Sequence, residues 1–308
     1  MPPTRATQAI TSRAVLAIWS VGFVLLWNSG FIGAEVGMAH SGPFTLLLWR
    51  YLALTAVMAT IVAVRGEPRR LPVRQLASVA LVGLLSHGVW LSCVLVAIDR
   101  GVPAGIVALV VALQPLLTGA FSGLATGEHT SVRQWIGLVV GFAGVAIAVS
   151  GRLVGGAPAA TGYYLLPLGS AAAITIASLI QRRRELDGSR GSVPIGLQLL
   201  IQSAATSVAL AVPAFALESL RTTWVPEYAA SMVWLVLGVS LGAYALMWRL
   251  LARASATRIA SLFFLGPPVT MFMAWIGFGD AVIATDVAGL AVAGGGVALV
   301  TIRRPAKE

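Results

Sequence analysis

The 308-residue chain has one cysteine, three histidines and eleven carboxylates. Each scarcity removes a class of chemistry. A lone Cys93 excludes an intramolecular disulfide, so stability has to come from packing. Three scattered histidines and one thiol make no zinc ligand set, and neither a metal nor another cofactor is expected. Charged residues make up 10% of the chain, and all eleven acids fall in loops, tails or the ends of apolar stretches. No carboxylate is left in mid-stretch to relay protons through hydrocarbon. A coupling proton would have to use His87 or an end-of-helix acid such as Glu35 or Asp99, and uncoupled movement is the simpler expectation.

What fills the chain instead is apolar side chain, 58% of the residues, more than one soluble core hides. Uncharged stretches near the ~20 residues that cross hydrocarbon run over 14–34, 43–64, 75–98, 103–125, 132–151, 162–181, 193–217, 229–252, 256–278 and 282–302. They predict an all-α integral membrane protein with ten transmembrane helices. The first run is too long for a signal peptide and contains Trp19, Trp27 and Asn28, so it reads as an uncleaved span. The net charge of +10 is a topology signal. With the N-terminus in the cytoplasm, 17 of the 21 basic residues fall on the cytoplasmic side and only Arg100, Arg152 and Arg221 on the other, with Arg50 inside a span. Both termini are therefore expected in the cytoplasm, with the lipid bilayer rather than nucleic acid as the protein's partner.

The chain also repeats itself. The segment from Gly101 through Gln114-Pro115 to Thr118 returns 153 positions later, ending in Pro267-Pro268 and Thr270. Farther on, Gly127-Glu128 faces Gly279-Asp280, and Gly137 and Gly144 face Gly289 and Gly296, offset by 152. Five predicted spans per copy is an odd number, so the copies enter the bilayer from opposite sides. This predicts two inverted repeats, residues 1–151 and 152–308, around a central cavity, the arrangement from which alternating access follows. Glycines at four-residue spacing in spans five and ten read as close helix packing within one scaffold, and a monomer is expected.

The repeated signature, Ala104 to Pro115, then Gly127-Glu128, then Gly137, Gly141 and Gly144, resembles the EamA repeat of the drug/metabolite transporter superfamily. So do Trp27-Asn28 through Gly33, Pro43, and Leu48-Trp49-Arg50. The resemblance implies a ten-helix exporter of amino acids or related metabolites, with spans one to four of each half lining the cavity. The second copy departs from the pattern in Asp280 and in having no arginine where Arg50 maps, near Ile201 and Gln202.

Candidate substrate-binding residues are the polar and aromatic side chains inside these spans. A charge at mid-bilayer costs at least ~3 kcal/mol without a partner, so Arg50 either clamps a substrate carboxylate or bonds backbone carbonyls or snorkels outward. His87 lies midway along span three with Trp90 at i+3. Asn28, Gln114, Gln198 and Gln202 supply amides, and Trp27, Tyr244, Trp248, Phe263 and Phe264 supply rings, Tyr244 and Trp248 sharing a face at i+4. Pro115 and the Pro267-Pro268 pair are expected to interrupt equivalent helices, the best pointer to a transport site. The reading is a secondary exporter of small metabolites, chiefly amino acids with apolar or aromatic side chains, with drugs or other metabolites such as cationic toxicants as the alternative substrate class. A rival from another class is a serine hydrolase, because Gly238-Val-Ser240-Leu-Gly242 matches a nucleophile elbow. It has no preceding strand and no hydrolase sheet, and His87 is the only internal histidine, so no catalytic residue and no enzyme activity is expected.

Overall fold

The computed structural model describes residues 5–67, 71–123, 131–154, 161–186, 193–251, 253 and 262–301. The repeated Gly127-Glu128 pair and residues 155–160, in the connection between the two copies, lie outside these residues. In chain order the helices are α1 (Arg5–Met38), α2 (Pro43–Arg65), α3 (Val73–Asp99), α4 (Ala104–Phe121), α5 (Val132–Val154), α6 (Leu166–Leu186), α7 (Ile195–Glu218), α8 (Pro226–Leu250), α9 (Gly266–Phe278) and α10 (Ala284–Thr301). Among the described residues the only non-helical pairing is an isolated bridge between Ser41 and Thr222. Helices α1 to α8 are each long and apolar enough to cross a membrane, whereas α10 is apolar over the shorter Ala284–Leu299 and α9 has 13 residues. The ten predicted spans thus appear as eight full-length ones and two shorter helices, the first part of the expected 256–278 span falling outside the described residues.

Packing follows the sequence spacing. Helix α1 lies on α8 and α9, and α6 lies on α3 and α4; α2 runs along α7, and α5 along α10. The α5–α10 crossing is built on glycine, because a Cβ at Gly144 would stand 2.5 Å from the Ala293 nitrogen and the Gly289 oxygen. Only hydrogen fits there. The α2–α7 pair is held by two reciprocal caps. Glu218, at the end of α7, accepts from the Phe44 and Thr45 amides that open α2 at 3.0 and 2.7 Å. Glu67, just past α2, accepts from the Leu197 amide at the start of α7 at 3.0 Å. Each carboxylate satisfies orphan N–H groups and lies at the positive end of the partner's helix dipole.

Two irregularities break otherwise regular helices. Helix α3 widens into a π-helical segment over Leu84–Val89, and α8 does so over Trp234–Ala243. Such π segments inside α-helices are found frequently at functional sites. Helix α4 is split by a turn at residues 112–113, and Pro115 stands in the first turn of the segment that follows. The same device precedes α9, where a turn at residues 264–265 leads into Pro267 and Pro268. Both turns are tightened by an i to i+3 bond, Leu113 N–H to Val110 O at 3.1 Å and Leu265 N–H to Leu262 O at 3.1 Å. Proline's missing donor and fixed φ suit a first helical turn, so these residues start half-helices rather than kinking continuous ones.

Candidate functional site

The π segments and the helix breaks surround one central region with two adjoining lobes. The first, of about 620 Å³ including its open mouth, lies between α1, α2, α3 and α8 and has Arg50, Tyr51, His87, Ser240 and Tyr244 in its wall. The second, of about 570 Å³, lies between α1, α4, α6 and α9 and is lined by Asn28, Gln114, Pro115, Phe263 and Pro267. Trp27, Phe31 and Trp90 belong to both walls. The Trp27 and Trp90 rings stack at 6.3 Å with 21° between planes and form the partition. The indole N–H of Trp90 is buried and has no hydrogen-bond partner among the described residues.

The polar groups are held by cross-chain bonds. Arg50 is 6% exposed, and its Nε and Nη2 donate to the Ser240 hydroxyl at 3.2 and 2.9 Å. It neither snorkels out of the bundle nor is matched by a carboxylate: among the described residues the ion pairs are Asp99–Arg100 and Arg152–Asp286. Its guanidinium carbon also stands 5.7 Å from the Tyr51 ring centroid. On the opposite wall His87, 5% exposed, shares a 3.2 Å hydrogen bond between its Nε2 and the Gln202 Oε1, with the Tyr51 ring 5.5 Å away. These two bonds match in sequence. Arg50 and Gln202 are 152 apart, His87 and Ser240 are 153 apart, and the latter two sit in the two π segments. Close packing supports the His87 side, since a Cβ at Gly83 would meet the Gln202 Cα at 2.5 Å, and Thr206 donates to the Gly83 carbonyl at 3.1 Å.

The remaining sequence candidates divide. Asn28 donates to the Val24 carbonyl at 2.7 Å and accepts from Thr270 at 3.1 Å, tying α1 to α9. Gln114 donates to Thr118 at 2.8 Å and to Ser178 at 3.3 Å, tying α4 to α6. Trp27, Trp90, Tyr244 and Phe263 line the lobes. Trp248 is instead 40% exposed, Gln198 is spent on the Val193 carbonyl at 2.8 Å, and Phe264 packs against the main hydrophobic core beside the cavity wall. Pro268 is not among the lining residues of either lobe. Ser240 is the residue that sequence reasoning set aside. Its G-x-S-x-G string forms part of a π-helical segment, where the hydroxyl faces a guanidinium and not an imidazole.

Outside the central lobes, Arg152 at the end of α5 donates to both carboxylate oxygens of Asp286 and to the Ala281 carbonyl at 2.7 Å. Burial pushes the nearby Asp280 carboxyl above its usual range, with Arg152 opposing. This cluster ties the two peripheral helices together and takes no part in the central cavity. Among the described residues no group of His, Cys, Asp and Glu is placed to hold a metal ion.

Fold and site together define a helical membrane protein built around an aromatic cavity with one buried cation, Arg50, among the described residues of its wall. Residues 14–150 match the EamA-like transporter family, and the chain belongs to that family within the drug/metabolite transporter superfamily. It is 32% identical over 163 residues to an uncharacterized inner membrane transporter, YedA, of Escherichia coli K12, which is 53% of this chain and 49% of that protein. The match therefore spans about half the length of that relative. To an uncharacterized transporter, YvbV, of Bacillus subtilis strain 168 it is 31% identical over 209 residues, 67% of this chain and 66% of the relative. A solved crystal structure shares the fold with a TM-score of 0.64 at 21% identity, over 93% of this chain and 96% of the other.

Proposed function

We propose that the protein is a secondary transporter of an inner membrane that exports small metabolites, chiefly amino acids with apolar or aromatic side chains, by alternating access of two inverted repeats, residues 1–151 and 152–308. The central aromatic cavity, walled by helices from both halves of the chain, carries this reading. The stacked Trp27 and Trp90 rings stand between its two lobes, which suits a central site reached alternately from either side. Matching pairs of helices, α1 on α8 and α9, α6 on α3 and α4, support the pseudo-twofold relation. The breaks before Pro115 and Pro267 support it as well. Rings on several sides suit an apolar or aromatic side chain, and the unspent Trp90 donor suits a polar group beside it. Family membership supports transport as the activity, with no catalytic step.

Purified protein in liposomes is expected to carry labelled amino acids down their gradient, fastest for those with large apolar side chains. Absence of flux for every member of a panel of twenty would overturn the substrate assignment. Both termini are proposed to face the cytoplasm. An impermeant thiol reagent applied to intact cells should then label Arg221→Cys and leave Arg184→Cys unlabelled, and the reverse pattern would invert the topology.

A further inference from the structure

The position equivalent to Arg50 in the second copy carries no charge. That twin position shows what the fold needs: Gln202, 152 residues on, fastens the π segment of α3 through His87 with a neutral amide. Arg50 fastens the π segment of α8 through Ser240 in the same way. A neutral side chain is therefore sufficient for the structural task on one side, and a guanidinium stands in its place on the other. A serine hydroxyl is a weak match for it. A single oxygen dipole accepts from two nitrogens of a planar fork built to meet two oxygens in parallel. Arg50 is 6% exposed, lines the first lobe and has no acid partner among the described residues, so no carboxylate of these residues balances its charge. Such a group attracts an anion and repels a cation.

We propose that Arg50 is the carboxylate-binding residue of the cavity, and that Ser240 is its placeholder in the empty protein. A substrate carboxylate replaces the Ser240 hydroxyl and takes both guanidinium donors, while the rest of the molecule lies among Tyr51, Trp90, Tyr244 and Trp27. The substrate class is then small carboxylates carrying an apolar or aromatic group, apolar amino acids included, and the cavity rejects purely cationic compounds. This deepens the transport reading above and rests on it for the fate of the bound molecule, not for the binding itself. Placing the charge on α2 and its placeholder on α8 also means that substrate binding releases the polar tie between these two helices.

Binding separates the two readings. The detergent-purified full chain is titrated with 3-phenylpropanoate and with 3-phenylpropanamide, which share size and ring but differ in charge, following quenching of tryptophan fluorescence, with Trp27 and Trp90 in the wall. The acid is expected to bind at least tenfold more tightly than the amide. Arg50→Gln should weaken the acid by about 30-fold or more and leave the amide unchanged, the size expected on truncating one partner of a buried charge pair. Arg50→Lys should fall between, since it keeps the charge and loses the fork. Ser240→Ala removes the placeholder and should tighten the acid several-fold. If Arg50→Gln does not fold, the acid-to-amide ratio of the wild type and of Ser240→Ala decides alone. Equal affinity for acid and amide, no saturable binding of the acid, or weaker acid binding in Ser240→Ala overturns the proposal. Carboxylate-selective binding without flux of any amino acid would leave it standing and sink the transport reading instead.

Discussion

Replacing Gly144 by leucine is expected to prevent the protein from accumulating in a folded form, and Gly144→Ala to lower its melting temperature in detergent by several degrees. The reason is the identity of the atoms that the new side chain meets. At most crowded glycines a flexible side-chain tip can give way, but at Gly144 the nearest atoms are backbone, the Ala293 nitrogen and the Gly289 oxygen, both at 2.5 Å. The contact is mutual. A Cβ on Gly289 would stand 2.5 Å from the Gly144 oxygen, and one on Gly296 would stand 2.6 Å from the Gly137 oxygen. Neither helix can yield without sliding the whole α5–α10 crossing apart. Overpacking a well-filled interior costs about 1–3 kcal/mol, and small residues at such crossings are what lets helices associate in lipid. The partner helix, α10, contains the control. Gly294 and Gly295 have nothing within 4 Å of an added Cβ, so Gly295→Ala should keep or raise the melting temperature, alanine being the better helix former. A Gly144→Ala protein that melts with the wild type, or a Gly295→Ala protein that melts below it, would remove the glycine crossing as the basis of this contact.

That crossing was legible in the sequence because spacing encodes it. Gly137, Gly144, Gly289 and Gly296 stand in the same register of two copies, and glycine in a membrane helix has few reasons to recur other than close approach. The helix breaks were legible for a similar reason, since proline announces a missing donor wherever it stands. The π segments were not. A π turn inserts one residue without any special side chain, and nothing in Leu84–Val89 or Trp234–Ala243 marks it. Their consequence was hidden with them. Arg50 stood out as a charge in a span, but its partner lies 190 positions away, in a string that looked like chance. The arithmetic that would have found it was available: His87 plus 153 is Ser240, and Arg50 plus 152 is Gln202.

The misplaced candidates follow from depth and phase. Trp248 shares a helical face with Tyr244, but at 1.5 Å per residue it lies ~6 Å farther along α8, and there it is 40% exposed. Phe263 and Phe264 adjoin in sequence at the turn before α9, so their side chains diverge, one to the cavity and one to the core. Gln198 sits at the start of α7 and bonds the chain that leads into the helix. Periodicity assigns a face; it does not say how far along that face the cavity extends.

Trp27→Ala is the second substitution with a large expected effect, and here the loss should fall on transport more than on folding. The Trp27 ring lies 5.6 Å from Phe23, 6.3 Å from Trp90, 5.6 Å from Tyr244 and 5.4 Å from Phe263. It thereby joins α1 to α3, α8 and the turn before α9. Aromatic pairs contribute about 0.5–1.5 kcal/mol each beyond the area that they bury, so even one or two of these contacts, if they also act on the bound substrate, amount to a factor of about ten in affinity. Removing the ring also opens the partition between lobes of about 620 and 570 Å³. Because the residue is only partly buried and faces cavities on two sides, its loss leaves less unfilled core than a fully packed tryptophan would, and the protein should still fold. In liposomes Trp27→Ala is expected to raise the apparent KM for an apolar amino acid about tenfold and to blunt the discrimination between large and small side chains. Trp27→Phe, which keeps a ring in the partition, should recover most of both. A variant that folds and transports with unchanged KM and selectivity would mean that the two lobes are not separated by this ring pair, and that the path through the protein runs elsewhere.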